Sequence, residues 1–223
     1  MRGSIRIAAV VAAALALAAG SASAASADSA TITDKRTDVV LNGAVGGDRT
    51  TAQKGIAYGT DARSATFTLG KKYISVRVDM TTVRQDLAYQ LDVTVSGRGE
   101  RPDPVAGHPQ LHVGLGPGGL RPYTTGTAAS SSTMCGGGPP ETRRTGQRIT
   151  TGLKLGRGGY LTAQVPRACL GADPSSTKIE RKASIKVSSP GRAADAATST
   201  DRYEDFVSST KYKTAKWTRY VRN

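Results

Sequence analysis

Histidine, cysteine and aromatic residues are scarce in this chain, and each scarcity closes off a kind of chemistry. Only two histidines, two cysteines, one tryptophan and two phenylalanines occur in 223 residues. His108 and His112 are four apart, a spacing that chelates metal from a helix. Here Gly107 and Pro109 flank the first, and the second sits among the alternating Leu111, Val113 and Leu115. Extended chain puts such positions about 13 Å apart, whereas two ligands of one zinc each lie about 2 Å from it. The pair reads as two partly exposed side chains near a loop, and no metal site is expected. With aromatics at 5% of the chain, any core must be aliphatic.

Nucleotide and nucleophile motifs are missing too. Gly70-Lys71-Lys72 lacks the preceding glycine and the following Ser/Thr of a phosphate-binding loop. Gly114-x-Gly116-x-x-Gly119 matches the dinucleotide string, but Pro117 and Pro122 oppose the helix that string must open. No G-x-S-x-G elbow offers a serine nucleophile. The expectation is no catalytic residue, no cofactor and no metal.

What is present begins at residue 1. Arg2 and Arg6 precede an unbroken apolar run, Ile7 to Ala19, and then Gly20. Ala22-Ser23-Ala24 and Ala25-Ser26-Ala27 follow as small-x-small cleavage sites. This is the three-part pattern of a secretory signal peptide, cut after Ala24 or Ala27. As a helix the run would rise about 20 Å, short of the roughly 30 Å hydrocarbon core. Arg2 and Arg6 do not adjoin, which opposes a twin-arginine signal. After Ala27 no apolar stretch nears membrane-spanning length. The expected product is secreted or envelope-located, without a membrane span, and a monomer. Cys135 and Cys169 both lie in the exported part, where an even count reads as one disulfide. Two lone thiols or a metal site are the alternatives.

Beyond the leader, apolar residues recur at every second position, the period of half-buried strands. Ile74, Val76, Val78 and Met80 share one face of Tyr73–Met80, while Leu87, Tyr89, Leu91, Val93 and Val95 share one face of the next run. The six residues between them suggest an antiparallel hairpin. Shorter alternating runs follow at 111–115, 153–155, 161–165 and 179–187, with opening strands at 39–45 and 65–69. No sustained helical stripe follows Gly20. Short strands separated by Gly/Pro turns predict an all-β, antiparallel β-sandwich, immunoglobulin-like or jelly-roll-like. The expected organisation is a signal peptide at 1–27, a flexible N-terminus at 28–36 and one domain at 37–223. A Gly/Ser/Thr-rich loop interrupts that domain at 124–147.

Two features suit interaction. The net charge of +14 falls to +12 once Arg2 and Arg6 leave with the leader, and such a surface attracts polyanions. The C-terminal segment interleaves Lys211, Lys213, Lys216, Arg219 and Arg222 with Tyr212, Trp217 and Tyr220. Cations and rings together suit an anionic wall polymer, a glycan or nucleic acid. The structural alternative is a last strand burying Trp217 and Val221 with its charges in water. Two carboxylate sets, Glu100/Asp103 and Asp201/Glu204/Asp205, could in principle serve a hydrolase or hold calcium.

The stretch Val165-Pro166-Arg167-Ala168-Cys169-Leu170-Gly171, taken with the leader, the upstream Cys135 and the terminal tryptophan segment, resembles a loose group of uncharacterised exported β-proteins of high-GC Gram-positive bacteria. That resemblance implies the sandwich and a Cys135–Cys169 bridge. It carries no activity to transfer. The reading is therefore an exported, non-catalytic binding module, envelope-associated or secreted, its partner a wall polymer or another exported protein. A polyanion module using the basic C-terminal strip is the alternative, and a hydrolase with an acid pair the second alternative.

Overall fold

The structure is a computed structural model, and it describes residues 28–34, 38–42, 44–45, 48–99, 108–116, 123–125, 149–170, 179–190, 201–207 and 215–222. The leader at 1–27, Glu100, Asp103, Cys135, Lys211, Lys213 and most of the 124–147 segment lie outside the described residues.

Two antiparallel sheets form the fold. The first has the order β1-β4-β5-β12-β10, comprising β1 (Asp28–Thr33), β4 (Ala62–Leu69), β5 (Tyr73–Met80), β12 (Tyr160–Pro166) and β10 (Thr150–Lys154). The second runs β3 (Ala44–Val45), β2 (Val40–Leu41), β14 (Arg202–Phe206), β13 (Glu180–Pro190), β7 (Tyr89–Gly97), β8 (Gln110–Leu115) and β9 (Tyr123–Thr125), with β15 (Val221–Arg222) also on β13. A two-strand ribbon, β6 (Thr82–Val83) with β11 (Gly156–Arg157), stands apart.

Alternation sets what faces inward. Phe67, Leu69, Ile74, Val76 and Val78 of the first sheet join Leu91, Val93, Val95, Leu111, Val113, Ile185 and Val187 of the second in one buried cluster. Each such side chain contributes about 1.5–3 kcal/mol through the apolar surface it removes from water. This is the aliphatic sandwich that the composition predicts. Among the described residues, no helix is long and apolar enough to cross a membrane.

Three expectations change. The runs 73–80 and 87–95 do not form a hairpin: β5 pairs with β4 and β12, whereas β7 pairs with β13 and β8. The intervening chain carries β6 and crosses between sheets, so the two apolar faces belong to opposite layers. Period two fixes the face of a strand but not its neighbour. Second, the expected flexible N-terminus contains β1, paired with β4 through Asp28↔Leu69 to Thr33↔Ser64, with Ala30 and Ile32 turned inward.

Third, the domain holds a helix that no apolar stripe announces. Thr51–Thr60 forms α1, opened by a capping box in which Thr50 accepts from the Gln53 amide and the Gln53 side chain accepts from Thr50 N. Thr50-x-x-Gln53 is the sequence signal for it, masked by Gly55 and Gly59. Gly59 is small for a reason: a Cβ there would lie 2.9 Å from Arg84 Cδ and 3.1 Å from Leu87 Cδ1. The Tyr89 hydroxyl locks this junction, donating to Gly59 O (3.1 Å) and accepting from Arg84 N (2.8 Å).

The cysteines divide at the edge of the described residues. Of the expected Cys135–Cys169 disulfide only the Cys169 end lies among them, fully buried in a 3-10 turn at Arg167–Leu170, and it is not a free thiol. The neighbouring Arg167 is 1% exposed and donates to the carbonyls of Gly70 and Lys71 (3.4 and 3.0 Å). In the V-P-R-x-C-L-G stretch, then, the arginine joins the β4–β5 turn to the end of β12.

Candidate functional site

The C-terminal segment lies along the edge of β13 and β14. Thr218 exchanges hydrogen bonds with Ala183, its N donating to Ala183 O and its hydroxyl accepting from Ala183 N, both at 2.9 Å. Lys216 N donates to Val207 O (3.3 Å). Thr218 and Val221 are buried, Trp217 and Tyr220 half-buried, and Lys216, Arg219 and Arg222 exposed. Val221 therefore packs as the structural alternative expects, while Trp217 stays partly open.

Two of the segment's cations are committed to acids. Arg219 grips both oxygens of Asp28 through Nη1 (3.0 Å) and Nη2 (2.6 Å) and donates to Ser29 O (2.8 Å). This guanidinium, with the Arg222 amide, outweighs burial and lowers the Asp28 carboxyl to about 2. Arg222 Nε meets Glu180 at 2.5 Å. The segment is thus a clasp that ties the first strand to the last. Lys182 from β13 sits over the Trp217 ring (4.7 Å) and the Tyr220 ring (5.2 Å), and His108 meets Trp217 edge-on at 5.7 Å. His112 instead contacts Asp92 at 2.8 Å, so the two histidines face different partners.

Between the clasp and β1 opens a cleft of about 460 Å³, bounded by Ser29–Thr33 on one side and Lys216–Arg219 on the other. β1 is the end strand of its sheet, and its Ser29, Thr31 and Thr33 are exposed. Hydroxyls, a part-open indole and an exposed ammonium thus border one concavity. Of the residues singled out by sequence, Lys216, Trp217 and Arg219 line it, Tyr220 and Arg222 lie beside it on the clasp, and Lys211 and Lys213 are not described.

The carboxylates sort differently from the sequence expectation. Asp201 accepts from Asn42 (2.8 Å) and Gln53 (3.1 Å). Glu204 points out of β14 to Arg202 and Lys186. Asp205 points inward and is 1% exposed. Adjacent strand residues face opposite sides, so the set cannot converge as an acid–base pair. Asp205 meets Asp34 and Asp38 instead, with a carboxylate oxygen from each lying within 4.8 Å of the others. Its Oδ2 accepts from Ala62 N (2.6 Å). Desolvation first, then the charge of Asp34, pushes the Asp205 carboxyl up to about 9. Asp61, 2% exposed at the end of α1, accepts from the Thr81 hydroxyl and adds to the same negative field. The inward phase of Tyr203, Asp205 and Val207 was the readable signal, since an acid had taken a core position.

A second, small pocket of about 140 Å³ adjoins this corner, lined by Val39, Arg49, Lys54, Ala57, Tyr58 and Asp61. In the Gly114-x-Gly116-x-x-Gly119 string, Gly114 lies within β8 and Gly116 closes it at φ 87, where a Cβ would stand 2.5 Å from Leu87 O, while Gly119 lies outside the described residues.

No family model matches the chain, and no curated protein matches it.

Proposed function

We propose that the chain is exported and acts as a binding module rather than an enzyme, with the cleft between β1 and residues 216–219 as its ligand surface. The carrying observation is the convergence on that cleft of the Lys216 ammonium, the half-buried Trp217 ring and the exposed hydroxyls of Ser29, Thr31 and Thr33. Rings and hydroxyls suit sugar or polyol units, and the ammonium suits a phosphate or carboxylate borne by them. An anionic, hydroxyl-bearing polymer of the cell envelope combines both. The leader pattern, the +12 charge that follows its removal and the resemblance around Val165–Gly171 agree with that address. Cleavage after Ala24 or Ala27 would leave Asp28, and with it the clasp to Arg219, in the product. Asp201, Glu204 and Asp205 diverge and so supply no acid–base pair, while Glu100 and Asp103 lie outside the described residues.

Two measurements test this. Mass spectrometry of culture supernatant should find a chain beginning near residue 25 or 28; retention of the whole chain in the cytosol would refute export. The product should be held on immobilised poly(glycerol phosphate) at low salt and released as salt screens the charges. Lys216→Glu should weaken retention more than Lys154→Glu, which changes an exposed lysine outside the cleft. Equal loss from both variants, or no retention by the unaltered protein, would overturn the cleft as the site.

A further inference from the structure

We propose that Asp34, Asp38 and Asp205 form a binding site for a hard divalent cation of the calcium class. The donors are all carboxylate oxygens, the ligand set that calcium prefers and zinc does not. Oxygens bound to one calcium lie 2.3–2.6 Å from it, so two of them stand at most about 5 Å apart. The three carboxylates meet that bound, with one oxygen from each within 4.8 Å of the others.

Asp205 supplies the independent observation. It is 1% exposed, its Oδ2 is committed to Ala62 N, and its Oδ1 has no hydrogen-bond partner. It occupies a core-facing position of β14, opposite Val187 in the ladder. A carboxylate buried beside other acids must take up a proton or be neutralised by a cation.

Position gives the site a use. Asp34 directly follows β1 of the first sheet, Asp38 precedes β2 of the second, and Asp205 lies in β14 beside β2. Asp34 N also donates to Arg63 O at the start of β4 (2.9 Å). A cation here would tie the two layers together at the corner where the chain passes from one to the other. The role is structural, and it is independent of what the β1 cleft binds.

The test is thermal unfolding and calorimetric titration of the purified, EDTA-treated protein with CaCl₂, MgCl₂, or NaCl at matched ionic strength. Calcium at about 5 mM should raise Tm by several degrees, with magnesium giving a smaller rise and sodium none. Asp205→Asn keeps an acceptor for Ala62 N–H and should lower calcium affinity at least about tenfold, abolishing the shift. If that variant fails to fold, Asp38→Asn, at a half-buried position, provides the same reading. Asp86→Asn, an exposed acid paired with Arg84, should respond like the unaltered protein. Absence of any calcium response in the unaltered protein would mean that the cluster holds only a proton, and would overturn the proposal. An undiminished response in both Asp205→Asn and Asp38→Asn would overturn it equally.

Discussion

Asp92→Asn should destabilise the protein at neutral pH and almost cease to matter at pH 2. Asp92 lies on the outer face of β7 with its side chain 16% exposed. Burial alone would raise its carboxyl. The hydrogen bonds from His112 and Gln90 and the charge of Lys186, whose Nζ is 3.2 Å away, outweigh that and hold it at about 2, against an ordinary 3.8. At about 1.4 kcal/mol for each unit between folded and unfolded values, Asp92 contributes about 2 kcal/mol. The folded value is depressed, so the unfolded chain binds the proton first as pH falls. Stability from this group is therefore complete above the unfolded value and lost as pH drops from about 4 toward 2. Urea unfolding followed by tryptophan fluorescence should give a difference between Asp92→Asn and the unaltered protein of about 2 kcal/mol at pH 7 and under about 0.5 kcal/mol at pH 2. A difference of the same size at both pH values would show that asparagine merely packs badly, and would refute the electrostatic account.

Other outcomes follow from single contacts. Tyr89→Phe strips the buried Gly59 carbonyl and Arg84 amide of their shared partner, and should cost about 1–3 kcal/mol in urea unfolding. Gly156→Ala and Gly116→Ala both force alanine to positive φ, but only at Gly116 does a Cβ run into backbone, Leu87 O at 2.5 Å. Gly156→Ala should cost about 1 kcal/mol and Gly116→Ala clearly more, and equal losses in thermal unfolding would contradict the clash. Arg219→Ala should let the Asp28 carboxyl, now at about 2, rise toward its ordinary value in an NMR titration.

Legibility in the sequence followed what each pattern encodes. Tyr73–Met80 was readable to the residue because alternating Ile, Val and Met reports a buried face directly, whereas the run read at 179–187 continues as strand to Pro190 through Ser188 and Ser189, which carry no apolar signal. Pairing was not, because the 81–86 connection could turn back or cross over, and nothing local distinguishes these. β1 was hidden by its composition: Ala30 and Ile32 are its only inward residues, set among Ser, Thr and Asp. The C-terminal strip was legible as a surface feature. That Arg219 would be tied to Asp28 was not, since the two residues are 191 positions apart. The acid corner was half legible, with Asp205 in inward phase between Tyr203 and Val207, but Asp34 and Asp38 join it only once the layers close.

One strand links these features. As an end strand, β1 has a hydrogen-bonded neighbour on one side alone, which is the least secure position in a sheet. Its first residue is held by Arg219, its length forms one wall of the cleft, and the residue after its end belongs to the acid corner. A ligand in the cleft would therefore contact a strand held at one end by the exposed ion pair of Arg219 with Asp28 and at the other by the backbone bond from Asp34 N to Arg63 O. Exposed ion pairs weaken with salt, whereas a bond between neutral backbone groups is not screened in this way. The clasped end should therefore loosen first as ionic strength rises, opening the cleft from the side of Asp28 while Asp34 keeps its place.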